Sequence, residues 1–250
     1  MPRNKRTGGT PQRWIHSDDM NQIQQVIREA LSRGWSLLET GAKSSLLELA
    51  SVLGKPIPSR LNGPLIDMLR VVPPQEARKR SLSSVYGVGA FPWHTDMAHI
   101  RVPPRFAVIR SLSQQGVRPT LLLDSRELYQ SGCDEAVLKT EVWFVNGGRG
   151  RFLTPVLNNT IQTGANIFRY DACVMRPATP SARQSASLMR ASENRSPSGT
   201  IEWRHGLCVV LDNWRTLHAR ARQPAETEPE RVLERVLVSS EGDCARALGS

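Results

Sequence analysis

The stretch Phe91-Pro92-Trp93-His94-Thr95-Asp96-Met97-Ala98-His99 decides how the rest of the chain is interpreted. It follows Ser83-Ser84-Val85-Tyr86-Gly87-Val88-Gly89-Ala90, whose β-branched and aromatic residues lack a helical period and predict a strand or a turn leading into one. Because residues i and i+2 of a strand point to the same face, His94 and Asp96 are expected to project together. They would offer an imidazole nitrogen and a carboxylate oxygen to one metal ion.

His218 is the best placed of the remaining histidines to complete this site. It lies in Leu211-Asp212-Asn213-Trp214-Arg215-Thr216-Leu217-His218-Ala219-Arg220, where an apolar, strand-like run leads into an Asn-containing turn. Two histidines and one carboxylate form the facial triad that is typical of non-haem Fe(II) oxygenases and leaves positions open for other ligands. The same three ligands also suit the zinc ion of a hydrolase, so that alternative stays open.

Together, the two motifs resemble a known family. Gly87-Val88-Gly89-Ala90-Phe91-Pro92-Trp93-His94-Thr95-Asp96, followed far downstream by the His218 stretch, is similar to the taurine dioxygenase and clavaminate synthase-like Fe(II)/2-oxoglutarate oxygenases. The resemblance implies a mainly β fold with flanking helices, a cupin-like jelly-roll or double-stranded β-helix. It also implies Fe(II) held by His94, Asp96 and His218, with 2-oxoglutarate and O2 as cosubstrates. The implied activity is hydroxylation of an unactivated C–H bond, with release of succinate and CO2.

The family also carries two arginines, four residues apart, after the triad. Here Arg231 and Arg235 supply that pair, and the apolar residues around them favour a strand on which both share a face. Arg231 is expected to grip the distal carboxylate of 2-oxoglutarate, because the guanidinium fork matches a carboxylate, and Arg235 is expected to face the substrate. The alternative is that the two arginines pair with Glu230 and Glu234.

Five further positions are candidates for the site. The resemblance implies that Thr120 hydrogen-bonds the same carboxylate, although the residues before it depart from the family pattern. It implies that Asp171 contacts an amino group of the substrate, with Arg169 as its neighbour on the opposite strand face; capping of a turn is the alternative for Asp171. Tyr86 is a candidate for hydrogen-bonding the substrate, and Trp93 for lining the pocket or, alternatively, for packing.

The other histidines and the cysteines predict no second metal site. His99 is expected on the opposite strand face, His205 in a turn and His16 in the tail. The cysteines are widely separated and form no C-x-x-C pair: Cys133, Cys173, Cys208 and Cys244. Free thiols in a reducing compartment are therefore expected.

Length and composition limit the remaining classes. The 250 residues suit one β-barrel domain, predicted over residues 18–250 behind a flexible basic tail, residues 1–17. No apolar run approaches the roughly 20 residues that a membrane helix needs, and no secretory signal is recognised, so a soluble, cytoplasmic protein is expected.

The net charge of +10 comes from dispersed basic residues without a recognisable nucleic-acid motif. We therefore expect a small-molecule or carrier-bound substrate, possibly amino-acid-like, rather than nucleic acid. A non-catalytic jelly-roll that binds an anionic partner is the competing class. The sequence leaves the oligomeric state open.

Hydrophobic patterning predicts the elements around these motifs. A first helix is expected after an N-cap at Ser17, Asp18 or Asp19 and ends at Gly34. Further helices are expected over Ser44 to Leu53 and, at the surface, over Ser181 to Glu193. Strands are expected over Trp35 to Leu38, Phe106 to Ile109, Thr120 to Asp124, Glu141 to Val145, Ile167 to Asp171, and from Arg231 onward. Residues 62–84 are expected to be a lid or a solvated loop, and residues 178–200 a basic flap.

Overall fold

The structure, a computed structural model, describes residues 17–39, 45–79, 81–114, 116–129, 131–147, 150–159, 164–222 and 230–240. The predicted tail, apart from Ser17, lies outside these residues, as does Cys244.

Five α-helices and one 3-10 turn are formed by the described residues. The helices are α1 (Ser17–Arg33), α2 (Leu46–Leu53), α3 (Leu82–Tyr86), α4 (Gly132–Thr140) and α5 (Ala182–Ser192), and the 3-10 turn is Ser125–Leu128. The strands are β1 (Trp35–Glu39), β2 (Lys55–Ile57), β3 (Ile66–Arg70), β4 (Phe106–Ser111), β5 (Thr120–Asp124), β6 (Val142–Asn146), β7 (Arg151–Pro155), β8 (Leu157–Asn159), β9 (Asn166–Phe168), β10 (Met175–Pro177), β11 (Gly199–Ile201), β12 (Leu207–Asp212), β13 (Thr216–Arg220) and β14 (Val232–Ser239).

Two antiparallel sheets form the framework. The major sheet has the order β1-β12-β4-β14-β2, with β3 beside the first part of β14, and the minor sheet has the order β11-β5-β13. Residues 91–94 extend the minor sheet, because Phe91 donates its backbone N–H to Arg220 and His94 exchanges two backbone hydrogen bonds with His218. This is the double-stranded β-helix that was predicted.

Three buried clusters show how the sheets are covered. The inner cluster joins the two sheets and contains Ile109, Leu122, Val209, Leu233 and Leu237, among others. A second cluster packs α1 and α2 against the outer face of the major sheet. A third packs the outer face of the minor sheet against β6, α4 and α5. Both sheets are thus covered on both faces, which leaves the ends of the barrel for a site.

Strand alternation determines which side chains enter the barrel. On β14, Leu233 and Leu237 belong to the inner cluster, so the intervening Arg235 points inward as well. On β5, Leu122 belongs to the inner cluster, and Thr120 shares its face. The sequence thus directs polar side chains from both sheets into the same end of an otherwise apolar barrel.

Several element predictions are confirmed, but the predicted strand over Ser83 to Ala90 is wrong. The short helix α3 is found there, with the Ser81 hydroxyl accepting a hydrogen bond from the backbone N–H of Ser84. Gly87 ends the helix at φ 51°, a left-handed conformation that favours glycine. A helix of five residues is too short to show a 3.6-residue period, so the pattern did not reveal it.

Three further predictions need correction. Part of the proposed lid is β3, whose residues pair with β14, so this part belongs to the major sheet. The helix of the proposed flap is α5, but it buries Ala186 and Met189 in the third cluster instead of lying loosely on the surface. The strand predicted over Ile167 to Asp171 is β9, which ends at Phe168.

Cys133, Cys173 and Cys208 are free thiols. None of the described helices combines the length and apolar character needed to span a membrane.

Candidate metal centre

His94, Asp96 and His218 converge at one end of the barrel. Each offers a ligand atom that lies within 4.8 Å of the other two, and all three residues are buried. The imidazole rings of the two histidines have centroids 4.2 Å apart, and His218 Nε2 lies 3.9 Å from Asp96 Oδ1. The backbone pairing between His94 and His218 fixes this approach, since each donates its N–H to the other's carbonyl, at 3.1 and 2.9 Å.

Asp96 reaches the site by a different route from the one predicted. His94 is paired with His218, but Asp96 lies in the turn that follows, just before Met97 at φ 59°. The side chain of Asn213 holds this turn. Its Oδ1 accepts the backbone N–H of Asp96 at 2.7 Å, and its Nδ2 donates to the carbonyl oxygens of Asp96 and Pro104 at 3.0 and 2.9 Å. The two predicted ligands therefore meet through a held turn and not through simple strand alternation.

The surroundings of the two histidines suit metal binding. Nδ1 of His94 lies 2.9 Å from the carbonyl oxygen of Pro92 and donates to it, which leaves Nε2 available to a metal ion. Burial, with a smaller contribution from His94, lowers the pKa of His218 to about 3, so its imidazole is neutral near pH 7. Neutral imidazole is the protonation state that a metal ion requires.

Arg235 contacts the carboxylate of Asp96. Its Nη1 donates to Asp96 Oδ1 at 2.6 Å, and its Nη2 donates to Oδ2 of Asp67 at 2.9 Å. Burial acts to raise the pKa of Asp96, but the positive charge of Arg235 outweighs burial and lowers it. Both terminal nitrogens of Arg235 are thus engaged by carboxylates, and its contact with a substrate stays a prediction.

The donor set fits a divalent metal ion. Oδ2 of Asp96 is buried without a hydrogen-bond partner among the described residues, although buried carboxylate oxygens are normally satisfied. A cation bound between Asp96 and the two imidazoles would supply the missing partner. Two nitrogens and one carboxylate oxygen are the donors expected of a facial triad with open positions.

Arg231 and Thr120 meet beside this centre, although they come from different sheets. Nη2 of Arg231 donates to Oγ1 of Thr120 at 2.6 Å, and Nε1 of Trp203 donates to the same oxygen at 3.0 Å. These two bonds use both lone pairs of the hydroxyl oxygen, so its O–H is left to donate to another acceptor. A guanidinium and a hydroxyl donor at one point suit a carboxylate.

The two glutamates of the alternative pairing form ion pairs with other arginines. Glu230 pairs with Arg70, and Glu234 pairs with Arg110, each at 2.6 Å. Glu234 directly precedes Arg235 on β14, so the alternation of side chains along a strand places it on the opposite face. The glutamates thus neutralise other arginines and leave Arg231 and Arg235 to the barrel interior.

Two of the candidate substrate residues make contacts within the protein, and for Trp93 this is the packing alternative. Arg169 is 1% exposed, and its guanidinium donates to the carbonyl oxygens of Ile100 and Arg101, both at 2.7 Å. Trp93 is buried in the third cluster, and its indole N–H donates to the carbonyl of Ser192 at 3.0 Å. Both side chains are therefore committed within the protein. Arg169 fastens the loop that begins directly after the Asp96 turn.

Tyr86 and Asp171 lie on the approach to the histidines. The Tyr86 ring is 6.2 Å from that of Phe91, which in turn lies 6.3 Å from His94. Burial raises the pKa of Tyr86, and the charges of Cys173 and Asp171 act in the same direction. Asp171 accepts the backbone N–H of Cys173 at 2.8 Å, which is the turn-capping alternative. Contact of Asp171 or Tyr86 with a substrate stays a prediction.

Sequence reasoning missed three residues of this centre. Asn213 was recognised only as part of a turn. Its side-chain amide, close in sequence to His218, could have indicated a role in holding the metal ligands. Asp67 lies in a segment that was interpreted as a lid or a solvated loop, and Trp203 begins a predicted turn. Asp67 and Trp203 are brought to the site only by long-range strand pairing, which local patterns do not reveal.

No protein-family model matches the sequence, and no curated protein matches it either. Several solved structures, however, are similar to it. An asparagine oxygenase in complex with Fe(II), 2S,3S-3-hydroxyasparagine and succinate has 17% identity and a TM-score of 0.68, over 90% of this chain and 80% of that one. The non-heme iron oxygenase OrfP with Fe has 16% identity and a TM-score of 0.67, over 94% and 83%. OrfP with Fe and alpha-ketoglutaric acid has 19% identity and a TM-score of 0.64, over 88% and 80%. At these identities the likeness demonstrates a shared fold.

Proposed function

We propose that the protein is an Fe(II)- and 2-oxoglutarate-dependent oxygenase that hydroxylates a C–H bond of an amino-acid-like substrate. The overall reaction converts the substrate, 2-oxoglutarate and O2 into hydroxylated product, succinate and CO2. The observation that carries the proposal is the buried convergence of His94, Asp96 and His218, in which one carboxylate oxygen lacks any partner among the described residues. Fe(II) bound there would supply the site at which O2 is activated.

The protein's own residues position the reactants. Arg231 and Thr120 would hold the distal carboxylate of 2-oxoglutarate, with Trp203 fixing the orientation of the threonine hydroxyl. Arg235 restrains the Asp96 carboxylate by a charge-assisted hydrogen bond. These groups lie beside the buried apolar inner cluster, and a low local dielectric constant strengthens charged contacts.

An amino-acid-like substrate, free or attached to a carrier, is supported by two observations. Asp171 and Tyr86 lie on the approach to the centre, and a carboxylate there suits an ammonium group. The asparagine oxygenase structure holds 2S,3S-3-hydroxyasparagine, and a further OrfP structure holds (3S)-hydroxy-L-Arg. The enzyme would act in the cytoplasm, where 2-oxoglutarate and reduced thiols are available.

A turnover screen tests the proposal. Protein reconstituted anaerobically with Fe(II) is mixed with 2-oxoglutarate, O2 and one member of a panel of amino acids, nucleosides and carrier-bound aminoacyl groups, and succinate is measured by NMR. We expect at least one amino-acid-like substrate to increase succinate release, with a matching hydroxylated product. The Zn(II)-loaded protein serves as the control. Hydrolysis by the zinc form, with no 2-oxoglutarate consumed by the iron form, would establish the hydrolase alternative. Absence of any turnover by a correctly loaded iron form would favour the non-catalytic class.

A further inference from the structure

A basic cleft lies next to the loop that leaves the metal centre. One wall is the loop segment His99, Ile100 and Arg101, and the other is Gly150, Arg151 and Phe152 at the start of β7. Its volume is about 320 Å³, which is in the range of small-molecule binding sites. None of the roles described for the metal centre uses this cleft.

The walls of the cleft are held in place from inside the protein. Arg169 donates to the carbonyls of Ile100 and Arg101, and its guanidinium lies over the Phe152 ring, 5.5 Å from the centroid. Gly147, in the hairpin turn before β7, packs so closely on His99 that a Cβ would not fit between them. The loop and the hairpin are thus packed together, and the cleft is built into the fold.

The cleft concentrates positive charge. Arg101 and Arg151 both line it with exposed side chains, and the guanidinium of Arg101 lies 5.4 Å from the centroid of the Phe152 ring. Within the described ranges, neither arginine forms an ion pair with a carboxylate, in contrast to Arg110, which pairs with Glu234, and Arg215, which pairs with Asp124. Two like charges in one small cleft repel each other unless a counterion occupies it.

We propose that this cleft binds the phosphate group of an anionic ligand. Phosphate is the match for two guanidiniums, because it carries up to two negative charges and accepts bidentate hydrogen bonds from the planar arginine fork. The volume exceeds that of a phosphate ion, so the organic group next to the phosphate would lie against the Phe152 ring. The phosphate belongs either to a free small molecule or to a phosphorylated residue of a partner protein.

Calorimetric titration tests this site in the full-length protein. The Fe(II) form is kept anaerobic and saturated with 2-oxoglutarate, so that the carboxylate site near Arg231 is filled, and the probes are phenyl phosphate, O-phospho-L-serine and a phosphoserine peptide. We expect binding that weakens at least tenfold in the double variant Arg101→Gln/Arg151→Gln. Arg176→Gln is the matched control, because Arg176 is also exposed and lies over a phenylalanine ring, Phe144, outside the cleft.

The outcomes separate the possibilities. Tighter binding of the peptide than of phosphoserine supports a phosphate on a partner protein, and equal binding supports a free phosphorylated molecule. Equal affinity of the wild type and the double variant, or an equal loss in Arg176→Gln, would overturn the site. The single variants Arg101→Gln and Arg151→Gln are measured in parallel, and each is expected to show a smaller loss than the double variant. Since none of these side chains belongs to the metal centre, the result is independent of the proposed oxygenase activity.

Discussion

At the scale of single residues, the carboxylate of Asp96 is controlled by a chain of charges. Arg235 is shared between Asp96 and Asp67, and Asp67 is also bonded to the hydroxyl of Ser59 at 2.8 Å. The second carboxylate keeps the guanidinium from being drawn fully onto Asp96, so Asp96 retains negative charge for a metal ion. Groups behind the ligands commonly tune metal affinity in this way.

The linked contacts of Asp67, Arg235 and Asp96 predict the effect of Asp67→Asn. Without the charge at position 67, Arg235 would interact more strongly with Asp96 and compete with the metal ion. We expect Fe(II) affinity to fall about tenfold, a typical size for a partner behind a ligand. Anaerobic metal titration measures it, with the exposed Glu76→Gln as a control. An affinity within twofold of wild type would show that Asp67 does not regulate the ligand.

Asp212 predicts a pH-dependent stability. Burial raises the pKa of Asp212 to about 6, despite Arg105, while an unfolded aspartate titrates near 3.9. Ionisation in the folded state therefore destabilises the protein above pH 6, and this penalty disappears as the pH falls toward about 4. Asp212→Asn retains the oxygen that accepts the Trp214 N–H and should raise the free energy of unfolding at pH 8 by roughly 1–3 kcal/mol.

Urea unfolding at pH 8 and at pH 4.5 tests this sign. The gain from Asp212→Asn should shrink markedly at the lower pH. A gain of the same size at both pH values, or a loss at pH 8, would contradict the assigned titration.

At the residue scale, the sequence was sufficient to predict that His94, Asp96 and His218 converge, because each lies in a recognisable short motif. It was insufficient for their surroundings. Asp67 reaches Arg235 only because β3 pairs with β14 across more than 160 positions of the chain. Trp203 contacts Thr120 only because β11, which ends two residues before it, pairs with β5.

At the scale of elements, β14 links the two halves of the site. Arg235 lies on its inward face and Arg231 directly precedes the strand and reaches Thr120, while Val236 and Val238 pack against the helices. This segment thereby holds a proposed 2-oxoglutarate ligand and the restraint on Asp96 at a fixed spacing. The arginine spacing in the sequence is sufficient to predict this face, because a strand's alternation is rigid.

Thr120 on β5 tests this arrangement. Thr120→Val keeps the side-chain volume but removes the hydroxyl donor, so the KM for 2-oxoglutarate should rise about tenfold with a smaller change in kcat. Arg231→Gln should raise it more, because a charged hydrogen bond is lost. Thr140→Val, at the exposed end of α4, is the matched control. An unchanged KM in both site variants would remove this pair from the cosubstrate site.

The loop after Asp96 depends on β9 and the residues that follow it. Arg169→Met keeps an apolar stem over Phe152 but leaves the carbonyls of Ile100 and Arg101 without their donor. We expect the free energy of unfolding to fall by about 2–3 kcal/mol. Urea denaturation measures the loss, and Arg176→Met should be near neutral because Arg176 is exposed. Equal stability of the two variants would contradict the bracing role of Arg169.

At the scale of the whole molecule, a double-stranded β-helix covered by helices explains why the site lies where it does. The two sheets bury apolar side chains between them, and the end reached by residues 91–97, β13 and β14 carries the converging polar groups. The resemblance of two motifs was sufficient to predict this architecture. The β6–β7 hairpin, the loop after Asp96 and helix α5 pack on the outer side of the minor sheet. No local sequence pattern is strong enough to predict this packing.

Anaerobic visible spectroscopy tests the central claim most directly. Wild-type protein with Fe(II) and 2-oxoglutarate should show a weak visible charge-transfer band, because both reagents meet at His94, Asp96 and His218. The band should be absent from His218→Ala and retained in His205→Ala, which changes an exposed histidine in a turn. A band of undiminished intensity in His218→Ala would show that this imidazole does not bind the iron and would contradict the account.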